Sequence, residues 1–354
     1  MVPANWPGYD RRKEIAWVKN QQRIKPTAVV KAYKRTLAER LGESRALLRR
    51  KVLVGDVHTH TTFSDGANTI PEIKEMGEAA GLDFVYITDH RTLKHRRYCR
   101  EKGVWWGQEP PTSGREIVLL CPARLFVPRG KDLAGDFHLA ESIAPFVFIP
   151  HPLGYGPRLR YSDEVVAAIR TLGERFSLEL INGHGKLVRA YDPVYQATVP
   201  FWEDLLRSGK QVNVVGGSDA HISYTVGTVW TGVYGTDHKS AECVAKELAK
   251  GHTFASEAPL LWLGCARSIM GDALRVPKGR KLRISFVAVD SAGLHSVRLI
   301  RDGKIVRNLP AHDVARMAGV HDYTTTAKRT YFRLECTASD QRRAFSSPIY
   351  ILPS

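Results

Sequence analysis

The chain has 354 residues, 43% of them hydrophobic, enough for one large folded unit plus a smaller one and too apolar for wholesale disorder. No stretch nears the roughly 18 apolar residues of a membrane span, the opening MVPANWPGYDRRKE has no continuous apolar signal region, and Cys99, Cys121, Cys243, Cys265 and Cys336 form no CxxC pair, so a reduced, cytoplasmic protein without membrane contact is expected. The net charge of +16 is uneven: residues 1–51 carry 14 Lys/Arg against 4 Asp/Glu, residues 266–354 carry 16 against 7, and the stretch between is slightly acidic.

Residues 1–51 are read as a basic helical extension. Within it Val30, Tyr33, Leu37, Leu41 and Leu48 recur at helical spacing among Lys and Arg, which predicts an amphipathic helix docked by its apolar side. The two basic flanks fit either an anionic partner, nucleic acid included, or a solvated basic surface. From residue 52 apolar strands alternate with helical patterns. KVLVGDVH is followed by TIPEIKEMGEAAG, where Thr69 and Glu72 spell a capping box and Gly81 a stop,. DFVYITDH, EIVLLCPA, FVFIPHP, SLELING and QVNVVGGSDAH follow, with helices near 162–173, 199–208 and 240–250. Repeated strand–helix units predict a parallel sheet. GVWWGQEPP reads as a loop whose Trp105 and Trp106 either stack on an aromatic substrate or seal a contact. After residue 266 the pattern has period two, and Asp302-Gly303 signals a hairpin,. Residues 52–265 and 266–354 are therefore read as a barrel and an antiparallel β-sandwich.

The strand ends collect His58, His60, Asp65, Asp89, His90, His151, Asp219 and His221, with His138 in GDFHLA. One such pair would be unremarkable, because most histidines are satisfied core or surface groups. Imidazoles and carboxylates recurring on one barrel face instead predict a divalent metal centre of zinc, manganese or iron.

GDVHTHTTFSDG, YITDH, IPHP and GGSDAH resemble, in order and spacing, the four motifs of the PHP (polymerase and histidinol phosphatase) superfamily. The tail, from ELAKGHTFASEAPLL to SSPIYIL, is similar to the carbaryl-hydrolase-like branch, which appends a β-sandwich. The resemblance implies a distorted (β/α)7 barrel and one to three metals. By motif, His58, His60 and Asp219 would hold the first, His138 and His151 the second, and Asp65, His90 and His221 the third. Asp56 and Asp89 would buttress histidines, Glu179 would orient ligands, and His184 would face solvent.

The family also places a Glu after the third strand, in a Gly-x-Glu setting, to bridge two metals. With EIVLLCPA counted as that strand, the aligned position is Arg124, and a fixed guanidinium repels a metal. Three readings stay open: Glu109 or Glu116 substitutes, Arg124 grips a substrate anion beside fewer metals, or the barrel binds without turnover. Arg91, after His90, either reaches an anion or pairs with Asp89. The expected activity is metal-dependent hydrolysis of a phosphoester with a small anionic substrate. The alternatives are hydrolysis of a carbamate, ester or amide, nucleic-acid processing or binding, and a non-catalytic barrel.

Overall fold

Thr27 caps helix α1 (Ala28–Leu48), its hydroxyl accepting from the Val30 amide at 3.3 Å,. The computed structural model describes residues 27–99, 103–112, 114–130, 132–154, 160–184, 193–236 and 240–354, so residues 1–26 of the basic extension lie outside the described residues. Leu41 and Leu48 bury against a cluster built largely from C-terminal strands. Lys31, Lys34, Arg40 and Arg45 of α1 are engaged within the chain. Arg40 spans Asp290 (2.7 Å) and Asp340 (2.6 Å), Lys31 meets Glu75, and Arg45 meets Asp83. Those guanidinium and ammonium groups strap two parts of the chain together.

Lys34 is fully buried and donates to the Val226 carbonyl at 2.7 Å. Burial pushes its ammonium down to about 7, although Asp56 opposes the shift,. The unfolded chain, with an ordinary lysine, binds more protons between pH 7 and 10.5, so this group lowers stability at pH 7 and stops doing so as pH rises. Lys34→Met is therefore expected to stabilise the protein at pH 7 by on the order of 2 kcal/mol, a gap that narrows towards pH 10. Denaturant midpoints of both proteins across that range check it, and a gap independent of pH would mean the ammonium is solvated.

Beyond α1, strand β1 (Leu53–Asp56), helix α2 (Ile70–Ala79) and strand β2 (Phe84–Ile87) form a right-order strand–helix–strand unit with β1 parallel to β2,. The capping box at Thr69 and Glu72 is present, and Gly81 takes a φ of 76° after the helix. β2 pairs in parallel with β3 (Val104–Gln108). The stretch read as a loop is thus a strand: Trp105 stacks on Phe84 with ring centroids 5.0 Å apart.

β3 pairs antiparallel with β4 (Val118–Leu120), and β4 antiparallel with β5 (Phe146–Phe148). Two short helices, α3 (Leu133–Glu141) and α4 (Asp163–Ala167), flank β5 in the chain. β6 (Arg175–Asn182) and β7 (Gln211–Gly217) form a parallel pair around helix α5 (Pro193–Arg207). A bridge at Ile149–Leu178 links β5 to β6, and one at Thr59–Ala220 links the end of β7 to that of β1. β1, β2, β3, β6 and β7 thereby deliver their carboxyl ends to one place. The short antiparallel β4 departs from uniform strand–helix repetition, because no helix separates it from β3.

β8 (Trp230–Val233), helix α6 (Ala241–Lys250) and β9 (Thr253–Ser256) follow, with β8 antiparallel to β1 and β9. The hydrogen bonding runs on past residue 265. β10 (Leu260–Cys265) pairs with β13 (Lys281–Arg301), and β9 pairs with β16 (Arg343–Ser346). β13 also pairs with β14 (Lys304–Thr324) and β15 (Thr330–Ala338), making a mixed sheet continuous from β1–β5 into the strand-rich C-terminal part. The β13–β14 turn falls at Asp302-Gly303, with φ 49° and 77°, values a two-residue hairpin of this type requires,. Among the described residues no helix is long and apolar enough to cross a membrane.

Candidate metal centre

β1 ends at Asp56, whose carboxylate is consumed by the backbone amides of His58, Ser218 and Gly227 at 3.3, 2.9 and 3.1 Å. This fixes the HTHT loop without spending a ligand. The His58 ring contacts Glu179 through Nδ1 at 3.1 Å, and Glu179 also accepts from the His151 amide and Asn182. With Nδ1 committed, Nε2 of His58 points to Glu109 Oε2 (3.1 Å) and Asp219 Oδ1 (3.4 Å). His60 Nε2 reaches the same two oxygens at 3.1 and 3.2 Å. Four donors from the ends of β1, β3 and β7 thus converge, all within 4.8 Å of one another.

A second group adjoins it: His60, Asp65, His90 and His221. His90 Nδ1 lies 3.0 Å from the Glu109 carbonyl, and His221 Nδ1 lies 3.0 Å from the Asp219 carbonyl. Each ring therefore donates from Nδ1 and turns Nε2 towards Asp65 Oδ2, at 3.5 and 3.4 Å,. The His60 ring stacks between those of His90 and His221, with centroids 4.5 and 4.3 Å away.

These atoms fit a bound cation. His58 Nε2, both His60 nitrogens, His90 Nε2 and Glu109 Oε2 are buried with no hydrogen-bond partner. Orphaned polar atoms cost about 1–3 kcal/mol each in a dry interior, and here they face one another. Imidazole nitrogen and carboxylate oxygen are the donors of zinc, manganese and iron sites. The backbone is strained at the same place. His151 and Asp219 have φ of 26° and 48°, unusual for residues with a Cβ,. Gly217 is required by contact, since a Cβ there would lie 2.6 Å from that of His58.

The two groups differ electrostatically. Burial would lower the His58 and His60 rings, but Glu109 and Asp219 hold His58 well above its ordinary value and His60 at about 9. His90 is driven by burial down to about 3, and His221 is lowered for the same reason. Burial alone would raise the Glu109 carboxyl, yet the imidazoles of His58, His90 and His151 hold it well below the usual range,.

Three expectations change. Glu109 stands at the shared position between the first group and His151, whose Nε2 lies 3.1 Å from Glu109 Oε1. Arg124 is exposed on the loop after β4 and takes no part. The signal was present: Gly107-Gln108-Glu109 spells the Gly-x-Glu, and the missed strand β3 moved the count onward by one. His138 sits on α3 rather than at a strand end, its side chain 89% exposed and 3.8 Å from Glu141. Its carboxylate neighbour is a surface one, and the imidazole nearest His151 is His58, with ring centroids 5.8 Å apart. The Nδ1 of His151 faces the Tyr161 hydroxyl at 3.3 Å, and that hydroxyl donates to Glu116 at 2.6 Å. His184, expected in solvent, is only 35% exposed, with Nδ1 3.1 Å from Asp219 Oδ2.

Arg91 is exposed in the turn after His90. Asp89 accepts from the Thr61 amide, the Thr61 hydroxyl and the Ser64 hydroxyl, a buttress to the loop that carries His60. His138→Ala is accordingly expected to leave metal content and turnover within twofold of the unmodified protein. Metal analysis and steady-state rates check this, and a loss of one metal would return His138 to the site.

A family model described as PHP-associated, PHP_C, matches residues 209–253, the stretch with Asp219 and His221. No curated protein matches the chain. The chain is similar to a crystal structure from Bacteroides vulgatus ATCC 8482, a two-domain protein containing a predicted PHP-like metal-dependent phosphoesterase. The identity is 16%, the TM-score 0.44, and the match covers 85% of this chain and 95% of that one. PsfC from Pseudomonas syringae PB-5123 matches at 16% identity and a TM-score of 0.42, over 58% of this chain and 91% of its own. Fibronectin(III)-like modules of Clostridium thermocellum CbhA match 26% of this chain and 98% of theirs, at 13% identity and a TM-score of 0.19.

Proposed function

We propose that this chain is a PHP-type metal-dependent hydrolase acting on phosphoesters of small anionic substrates. One observation carries the reading: buried imidazole nitrogens and carboxylate oxygens, most of them without hydrogen-bond partners, converge from separate strand ends on two adjoining points. The PHP_C match over residues 209–253 supports the same family. His58, His60, Glu109 and Asp219 would hold one divalent ion, and Asp65, His90 and His221 a second. Such ions, when bound, lower the pKa of a coordinated water and neutralise charge on a phosphoryl oxygen.

The chain itself supplies orientation and exclusion of water. Glu179 holds the His58 ring and the His151 backbone. The Glu109 and Asp219 carbonyls fix the tautomers of His90 and His221. His151 is kept beside Glu109 by Tyr161 and Glu116. Glu109 and His151 are too few for a third full site, and the remaining group, His184, Asp219 and His221, reuses ligands of the first two, so two metals per chain are expected,.

The test is metal analysis of the purified protein together with rates on p-nitrophenyl phosphate, bis(p-nitrophenyl) phosphate, p-nitrophenyl acetate and an aryl carbamate. Metal-dependent turnover of the phosphoesters is expected. Turnover confined to the carboxylic ester or carbamate would overturn the phosphoesterase reading in favour of its hydrolase alternative. Absence of metal and of all turnover would overturn both.

A further inference from the structure

The turn that follows His90 carries a second concentration of charge, opposite in sign to the metal centre. Residues Lys94–Arg97 form one 3-10 turn. Its His95 is completely buried, with Nε2 3.1 Å from the Gly107 carbonyl and Nδ1 3.3 Å from Asp89. That imidazole fastens the turn, through the Gly107 carbonyl, to the strand that leads into Glu109, and its other edge lies beside Asp89, which braces the His60 loop. With His95 turned inwards, Lys94, Arg96 and Arg97 are left exposed.

They line a cleft of about 750 Å³ together with Leu93, Cys99 and Trp106. The Arg96 guanidinium lies over the Trp106 ring, 4.7 Å from its centroid, and donates to the Ala123 carbonyl at 3.0 Å. Arg97 lies 4.7 Å over the ring of Tyr98, which is 48% exposed and packs 5.4 Å from Phe63 of the metal-centre loop. Among the described residues no carboxylate lies within ion-pair distance of Lys94, Arg96 or Arg97.

Three cations held on one short turn, two of them lying over aromatic rings and none paired with a carboxylate among the described residues, repel one another, and a bound anion would relieve that repulsion. Guanidinium groups carried over ring faces remain charged and offer N–H forks of the kind that match phosphate oxygens,. We propose that this cleft is a phosphate-binding subsite separate from the metal centre, and that it takes a second phosphate group of a substrate carrying at least two. The inference rests on the phosphoester reading for its link to turnover, and on the cleft alone for binding. The shared chemistry is a chain of phosphate groups, whether a free polyphosphate or a phosphodiester strand.

The experiment uses the full chain carrying His60→Ala, kept in chelator, so that binding cannot occur through metal. Tripolyphosphate and a short oligodeoxythymidylate are titrated by calorimetry and fluorescence anisotropy. Saturable binding that weakens with added salt is expected. Lys94→Gln/Arg97→Gln leaves the Arg96 stack in place and should weaken it by about tenfold or more. Arg283→Gln, at an exposed position of β13, should leave it unchanged. Binding of tripolyphosphate alone identifies the ligand as a compact polyphosphate, and binding of both admits a phosphodiester strand. No saturable binding of either probe, or equal loss in Arg283→Gln, overturns the proposal.

In the metal-loaded protein with His60 intact, the double variant should raise KM for a substrate with two phosphates while leaving kcat, and KM for p-nitrophenyl phosphate, within twofold. If no phosphoester is turned over at all, the binding titrations still decide the subsite by themselves.

Discussion

His60→Ala should abolish metal loading at the first point, weaken it at the second and lower turnover by about 1,000-fold or more, since metal activation of water and neutralisation of phosphoryl charge supply several kcal/mol of transition-state stabilisation. No other side chain belongs to both four-residue groups. Its Nε2 faces Glu109 and Asp219, and its ring is clasped between His90 and His221. Loss of this ring takes a ligand from one site and the wall from the other. The fold should survive, because both His60 nitrogens are buried without partners and alanine removes that cost while opening a cavity. Circular dichroism of the metal-free variant should match the unmodified protein, and the latter should gain clearly more thermal stability when metal is added. Unchanged turnover in His60→Ala would sink the metal-hydrolase reading.

Local chemistry was the part of this molecule open to reading in advance. The Asp302-Gly303 hairpin and the Thr69–Glu72 capping box each depend on two residues close in sequence, so their spelling suffices. The convergence of His58, His60, Asp65, His90, Asp219 and His221 was legible because strand ends on one face meet in space. What failed was counting and context. GVWWGQEPP, bounded by Gly103 and two prolines, looked like a loop, yet Trp105 is buried by stacking on Phe84, a contact no local pattern announces. Losing that strand moved the Gly-x-Glu position that the resemblance implies from Glu109 to Arg124. His138 misled for a related reason. A histidine beside apolar residues reads alike on a strand end and on a helix, and Asp132, which caps α3 through the Gly135 amide, was the overlooked signal. The partners of the basic flank were out of reach: Arg40 and Asp290 are 250 residues apart, and a charge count cannot show that an arginine is already paired.

Metal should load the two points in separate steps distinguished by pH. In the metal-free protein His58 and His60 are held protonated by Glu109 and Asp219, His60 up to about 9 and His58 well above its ordinary value. A metal ion binds imidazole only through a free lone pair, so loading the first point at pH 7 must expel these protons. The sign follows: below about pH 9 each lowered pH unit strengthens the competitor, and with two protons displaced the apparent affinity should fall about 100-fold per unit. At the second point burial already keeps His90 and His221 neutral, His90 down to about 3. Nothing has to leave, and affinity there should be nearly flat across the same range. Calorimetric titration at pH 6.5 should therefore show one metal per chain without proton release. At pH 8.5 it should show two, the second accompanied by release of about two protons, read from paired buffers of different ionisation enthalpy. Glu109→Gln removes a charge that holds those protons and also a ligand, so it should abolish the pH-dependent step and leave the pH-independent one. Two steps with the same pH dependence, or survival of both in Glu109→Gln, would show that Glu109 does not organise the first point.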